Sequence, residues 1–248
     1  QVLSDLPEKD EKTIYSGMED EQRKLYLAAH KQLVDQLQGI DSAYYEKNKI
    51  FILSQLTKLR QICCHPALCY DDYQGSSAKL EACMELVQRA VKGKHKVLLF
   101  SQFTSMLDLI RERLAEQNTK YYCLTGNTDK QERQRLVDEF QNDDTPVFLI
   151  SLKAGGTGLN LTAADIVIHY DPWWNVAAQN QATDRAYRIG QEKPVTVYKL
   201  ILKDTIEENL LKLQNAKLAL AAQVVSEGMV SLGDLSQNEL MELFEQNP

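Results

Sequence analysis

The sequence predicts an α/β fold, with a parallel sheet covered by helices on both faces and a small helical subdomain in front of it. Three observations predict it. Short continuous apolar runs such as KVLLF and VFLIS recur through the later part of the chain. Helical patterns of about a dozen residues separate those runs. The region before residue 75 has helical periodicity and no comparable runs. Strands that are apolar throughout are buried on both faces, as in a parallel sheet, and parallel neighbours need crossover helices between them.

The elements follow in order. The first dozen residues are polar, with Pro7 as a breaker, and residues 1–18 read as a linker. From Glu19 to Leu37 the spacing of Leu25, Ala28, Ala29, Leu33 and Leu37 suits an amphipathic helix, ended by Gly39 and Asp41. A second helix spans Ala43–Ile62 and is expected to bury Ile50, Leu53, Leu56 and Leu59. His65-Pro66 stops it, because a residue before proline avoids the helical region. The helical subdomain with its linker covers 19–75, since YDDYQGSS at 70–77 has turn composition.

A helix near Ala78–Val91 then leads to the strand Lys96–Ser101. A helix from Ser105 to Glu116, with Ser105 able to cap it, precedes the strand Tyr121–Leu124. The helix Lys130–Phe140 and the strands Val147–Ser151 and Ile166–Tyr170 come next. The helix Val176–Tyr187 and the strand Val195–Leu202 complete the pattern. A long helix from Thr205 to about Val225 closes the α/β region at 76–225. Gly228 and Gly233 interrupt the tail at 226–248, whose last helix is Gln237–Phe244. Sheets of this kind bind ligands beyond the carboxyl ends of their strands, so the loops after Ser101, Ser151 and Tyr170 are where chemistry is expected.

Composition narrows the function. The chain has 248 residues, 44% hydrophobic and 25% charged, ordinary for a globular protein. Its net charge of -7 argues against binding nucleic acid by bulk positive charge. Any DNA contact comes from a local strip, and weak DNA binding is expected of this chain alone. Five cysteines, an odd number, fit free thiols in a reducing compartment. No apolar run is long enough to span a membrane. The start lacks a basic region followed by an apolar one and lacks Met, which reads as a piece of a longer protein without a signal peptide.

Four segments could carry chemistry. SLKAGGTGLN at 151–160 follows a buried strand with three glycines in four positions, a backbone that can approach a phosphate closely or simply make a tight connection. No lysine follows the glycines, so it is not a phosphate loop of the Walker type. In QATDRAYRIGQ, Arg185 and Arg188 stand three apart and share a face if helical. Two guanidiniums on one face repel unless an anion lies between them, and phosphate matches their planar fork. The alternative is a solvated face with Asp184 neutralising one. In YDPWWN, Trp173 and Trp174 could stack on bases or a partner, or one could roof the core. In FSQFT, Gln102 and Thr104 could touch DNA phosphates while Thr104 or Ser105 caps a helix. Cys63, Cys64, His65 and Cys69 form one crowded cluster with no second pair at zinc spacing, so buried free thiols are expected and no metal. No Gly-x-Ser-x-Gly elbow occurs.

Taken in order, FSQFT, LTGNT, SLKAGGTGLNLTAADIVIHYDPWWN and QATDRAYRIGQ resemble the second RecA-like lobe of the SWI/SNF family of helicase-like ATPases. LTKLRQICCHPAL before them is similar to that family's helical protrusion. The resemblance implies an ATP- and Mg²⁺-dependent motor that moves along double-stranded DNA without separating its strands; a strand-separating helicase could use the same lobe. It implies Arg185 and Arg188 as arginine fingers and Gly156, Gly158, Asn160 and Gln181 as nucleotide-facing. Gln102, Thr104, Arg133, Lys153 and Trp173 become DNA-contacting candidates. Residues 1–18 would link to the family's first lobe, which holds the phosphate loop and the Mg²⁺-binding acidic pair; neither occurs here, so this chain alone is expected to be inactive. Partners would be DNA, the first lobe and a DNA-bound protein, and the location intracellular. Tyr187 replaces the family's usual histidine, Val176 its usual proline, and Thr125 an acidic residue. A competing reading is a non-catalytic DNA- or protein-binding regulatory module that uses the tryptophan pair and the acidic surface.

Overall fold

The computed structural model describes residues 6–38, 40–155, 158–221, 240–241 and 243–244. Gly39, Gly156, Gly228 and Gly233 lie outside the described residues, as does the expected helix end near Val225. Of the expected 237–244 helix, the four described residues are helical.

The order is β1 (Lys9–Ser16), α1 (Asp20–Leu37), α2 (Ser42–Cys64), a 3₁₀ turn (Pro66–Leu68), α3 (Ala78–Lys92), β2 (Val97–Ser101), α4 (Thr104–Glu116), β3 (Tyr121–Leu124) and α5 (Lys130–Asn142). Then come β4 (Val147–Ser151), α6 (Leu152–Gly155), β5 (Ile166–His169), α7 (Val176–Thr183), β6 (Val195–Leu202) and α8 (Ile206–Ala221). By contacts the chain divides into two units. The first holds residues 1–14, 80–173 and 177–200; the second holds 15–79, 174–176 and 201–248.

The first unit carries the RecA-like sheet, whose strand order is β1-β6-β5-β2-β4-β3. Val97 pairs with Val147 on one side and Ile166 on the other, Tyr121 with Val147, and Ile166 with Thr196, all in parallel. β2 and β4 are buried at every position, which is why both read as unbroken apolar runs. Phe100, Phe140, Phe148, Ile150, Val167, Trp173 and Val197 share one core cluster. Asp129 caps α5, accepting the Gln131 and Glu132 N–H groups at 2.9 Å.

The linker expected over 1–18 contains a strand. KDEKTIYS pairs with β6 at the sheet edge, exposed at its first five positions, and Lys199 meets Glu11 at 2.7 Å. An edge strand can be charged on both faces because backbone pairing holds it, so hydropathy hides it. The N-cap of α4 is Phe103 with no side-chain bond, so neither Thr104 nor Ser105 caps that helix.

The second unit is built on α1 and α2. Tyr26, Leu33, Leu37, Ile52, Leu56, Leu59 and Ile62 pack with Leu202, Ile206, Leu240, Leu243 and Phe244. Ile50, expected in this core, is 87% exposed. It lies six positions before Leu56, ~120° away around the helix, whereas Tyr45 and Ile52 fall on the buried stripe. The stop at His65-Pro66 is as expected: His65 ends α2, and its Nδ1 accepts the Ala67 N–H at 3.2 Å. Lys79 and Glu207, 0% and 1% exposed, meet at 2.6 Å, and Glu207 also accepts the Leu202 N–H at 2.8 Å.

Candidate functional site

In the first unit, the residues singled out by sequence gather at the carboxyl ends of β2, β4 and β5. Asp171, 1% exposed, follows β5. It accepts the Ser101 hydroxyl at 2.5 Å, the Gln102 side-chain amide at 2.5 Å and the Gln102 backbone N–H at 3.3 Å. The Ser101 oxygen in turn accepts the Phe103 N–H at 3.1 Å. A buried carboxylate held by several donors fixes the strand-to-helix turn that carries Gln102 and Thr104. Thr104 is exposed at the start of α4, and Gln102 is half-buried with its amide committed to Asp171.

Beside it, His169 stacks on Phe100, 5.6 Å between ring centres, and its Nε2 is 2.9 Å from the Thr183 hydroxyl. Burial, with Lys199 acting the same way and Glu11 opposing, pulls His169 down to about 3. The ring is therefore neutral at physiological pH.

Trp173 is corrected from a base-stacking candidate to a core residue. It is 2% exposed and packs edge-on against Phe100 and His169. Trp174 belongs to the second unit, where its ring lies 5.6 Å from the Arg60 guanidinium.

The second grouping is the arginine turn. The helix expected to run to Tyr187 ends at Thr183. Beyond it the backbone closes as a tighter turn, with Arg185 N–H bonding Ala182 O at 3.2 Å and Ala186 N–H bonding Thr183 O at 3.0 Å. Arg185 and Arg188 therefore do not share a regular helix, yet both reach the segment after the glycines. The Arg185 carbonyl accepts the Leu161 N–H at 2.9 Å, and Arg188 Nη1 donates to Leu159 O at 3.4 Å. At Gly158 a β-carbon would stand 4.0 Å from Arg185 Nη1. Gly158, Arg185 and Arg188 are thus brought together.

Arg185 is half-buried, and its Nε is buried with no hydrogen-bond partner among the described residues. Burial and the charge of Arg188 pull its guanidinium down from the ordinary value, with Asp184 opposing. Two neighbouring guanidiniums with an unserved donor have the charge and geometry that suit an anion. Gln181 is exposed on α7, and Arg133 is half-buried on α5. A cavity of about 370 Å³ lies between α5 and the 158–160 segment, lined by Gln134, Val137, Asp138, Gln141, Gly158, Leu159 and Asn160. Gly156 and the Lys153 side chain lie outside the described residues.

Sequence reasoning missed Asp171 and the link from Tyr187 to the first strand, where the Tyr187 hydroxyl donates to Pro7 O at 3.0 Å. An acidic residue directly after an apolar strand was the available signal for Asp171; nothing local marked Tyr187. Among the described residues no helix is long and apolar enough to cross a membrane. None of the five cysteines is in a disulfide; Cys63, Cys64 and Cys83 are buried, and burial pushes the Cys63 thiol up.

Known proteins are similar to this chain in sequence and fold. Residues 78–190 match the helicase conserved C-terminal domain family. The chain is 42% identical over 252 residues to the putative ATP-dependent helicase/translocase YwqA of Bacillus subtilis, covering 98% of this chain and 27% of YwqA. The Sulfolobus solfataricus SWI2/SNF2 ATPase C-terminal domain superposes with a TM-score of 0.77 at 34% identity, covering 97% of this chain and 100% of that one. The Sulfolobus solfataricus SWI2/SNF2 ATPase core in complex with dsDNA superposes with a TM-score of 0.80 at 38% identity, covering 98% of this chain and 51% of that one. The chain spans about a quarter of the length, or less, of the curated relatives it matches, from 11% to 27%.

Proposed function

Because the chain belongs to the SWI/SNF family of helicase-like ATPases, as its C-terminal half, we propose that it is the second motor lobe of an ATP-dependent translocase on double-stranded DNA. It supplies Arg185 and Arg188 to the transition state and part of the DNA grip through Gln102, Thr104, Arg133 and Lys153. The observation that carries this reading is the half-buried Arg185, beside Arg188 and Gly158, with an Nε donor that has no partner among the described residues. Guanidiniums held ready in this way stabilise the charge on the transferred phosphoryl group.

ATP is the substrate, and its phosphates meet these arginines when a preceding lobe closes over it. Gly158, Asn160 and Gln181 would face the nucleotide. Mg²⁺ is assigned to the preceding lobe, and this chain by itself is expected to be inactive. Partners are then the DNA, the first lobe and a protein bound to the DNA, inside the cell. The regulatory-module reading would have to rest on Trp174 and the acidic surface, since Trp173 is 2% exposed.

The test is DNA-stimulated ATP hydrolysis by the full-length protein. Arg185→Ala and Arg188→Ala should each lower turnover on the order of a thousandfold, with ATP binding and folding retained. A wild-type protein without DNA-stimulated turnover would sink the motor reading.

A further inference from the structure

Gln191 ends the arginine block but has no assigned role, and its surroundings set it apart. It is 5% exposed, and its side-chain nitrogen donates to Thr162 O at 3.1 Å, Ala164 O at 2.8 Å and Ala186 O at 2.9 Å. Its side-chain oxygen accepts the Lys193 N–H at 2.9 Å. An amide carries two N–H groups and a carbonyl with two lone pairs, so both donors, shared among three carbonyls, and one acceptor position of this side chain are spent on backbone. The segments it joins are the stretch after the glycine-rich loop, the turn between Arg185 and Arg188, and the lead into β6.

The position of this clasp matters. α7 ends at Thr183, so a continuing helix does not serve the carbonyls beyond it. Arg185 O is taken by Leu161 N–H, Ala186 O by Gln191, and Arg188 O by the Gln191 backbone N–H at 2.9 Å. Leu161, Ala164 and Ala186 are each 0% exposed, so the turn is seated on a packed floor. We infer that Gln191 is the positioning residue of the arginine turn: it clamps Ala186 to the 162–164 segment and so sets where the Arg185 and Arg188 guanidiniums stand. It touches no phosphate itself. The inference rests on the proposed motor function, in which those guanidiniums meet the transferred phosphoryl group. Pre-organised groups lose most of their catalytic effect when displaced by about 1 Å.

The experiment compares wild type, Gln191→Ala, Gln191→Glu and the core variant Phe140→Leu in the full-length protein. Gln191→Glu keeps size and shape but offers no donor to the three carbonyls. Both Gln191 variants should lower kcat for DNA-stimulated hydrolysis roughly tenfold to a hundredfold. KM for ATP and half-saturation by DNA should stay within about twofold, because ground-state binding is untouched. Phe140→Leu, chosen to match the loss in melting temperature, should keep kcat. Hydrogen exchange read on peptides covering 159–165 should quicken in both Gln191 variants and not in Phe140→Leu.

A Gln191→Ala protein with wild-type kcat overturns the inference. So does a Phe140→Leu protein that loses as much kcat, since the effect would then be general stability. If wild type shows no DNA-stimulated hydrolysis, the motor reading falls. Exchange at Leu161 then still decides whether Gln191 holds the turn, and unchanged exchange would overturn that as well.

Discussion

Asp171 and Arg185 are charged groups drawn into the same unit, and they are treated in opposite ways. The Asp171 carboxylate is 1% exposed and is served by Ser101 and by both the backbone and the side chain of Gln102. The Arg185 guanidinium sits next to a second positive charge, and its buried Nε has no acceptor among the described residues. A charge satisfied from within holds backbone in place. A charge left partly unsatisfied costs stability and gains a purpose only when a ligand of opposite sign arrives. Burial by itself therefore does not separate scaffold from site; the state of the partners does.

The most demanding test of this contrast measures Arg185→Ala by stability as well as turnover. Turnover is expected to fall on the order of a thousandfold, while the melting temperature stays level or rises because a repelled, half-buried charge has gone. A clear drop in melting temperature would place Arg185 with Asp171 among the structural charges. Next in size is Lys79→Met in the second unit, where both partners of the ion pair are essentially unexposed. Leaving Glu207 buried without its ammonium should cost about 3–5 kcal/mol in denaturant unfolding. Lys79→Met with Glu207→Gln should recover part of that loss, and failure to recover any would show that the pair is not a closed unit.

Asp171→Ala comes third, with about 2–3 kcal/mol expected from stranding the Ser101 hydroxyl and the Gln102 amide. A loss below half of that would mean that water replaces the carboxylate. The smallest effect concerns pH. His169 lies at about 3, below the ordinary 6.5, so as pH falls the unfolded chain takes up the proton first. Its contribution to stability is full above about pH 6.5 and declines as pH falls towards 3. His169→Phe should flatten stability against pH over that window; an unaltered slope would assign the acid sensitivity to other groups.

Much of the fold was legible because its signals are local. The apolar runs of β2 and β4 and the stop at His65-Pro66 each depend on a few neighbouring residues. The order of the family motifs identified the lobe, and the structure places Arg185 beside Gly158 and Arg188 beside Leu159. β1 was hidden because an edge strand is held by backbone bonds and can carry charge on both faces. Ile50 was misplaced because the helical phase of α2 is set by what packs against it.

The sequence by itself determined the alternation of strand and helix, the motif order and the kinds of side chain available for phosphate and DNA. Tertiary structure alone decided which of two adjacent tryptophans enters the core, that α7 stops before Arg185, and that Asp171 reaches Ser101, 70 residues away. It also decided that Gln191 spends its amide on Ala164 and Ala186. The reason is physical: periodicity and capping act within a turn or two of chain, whereas partners for buried charges and amides are chosen by packing between segments distant in sequence.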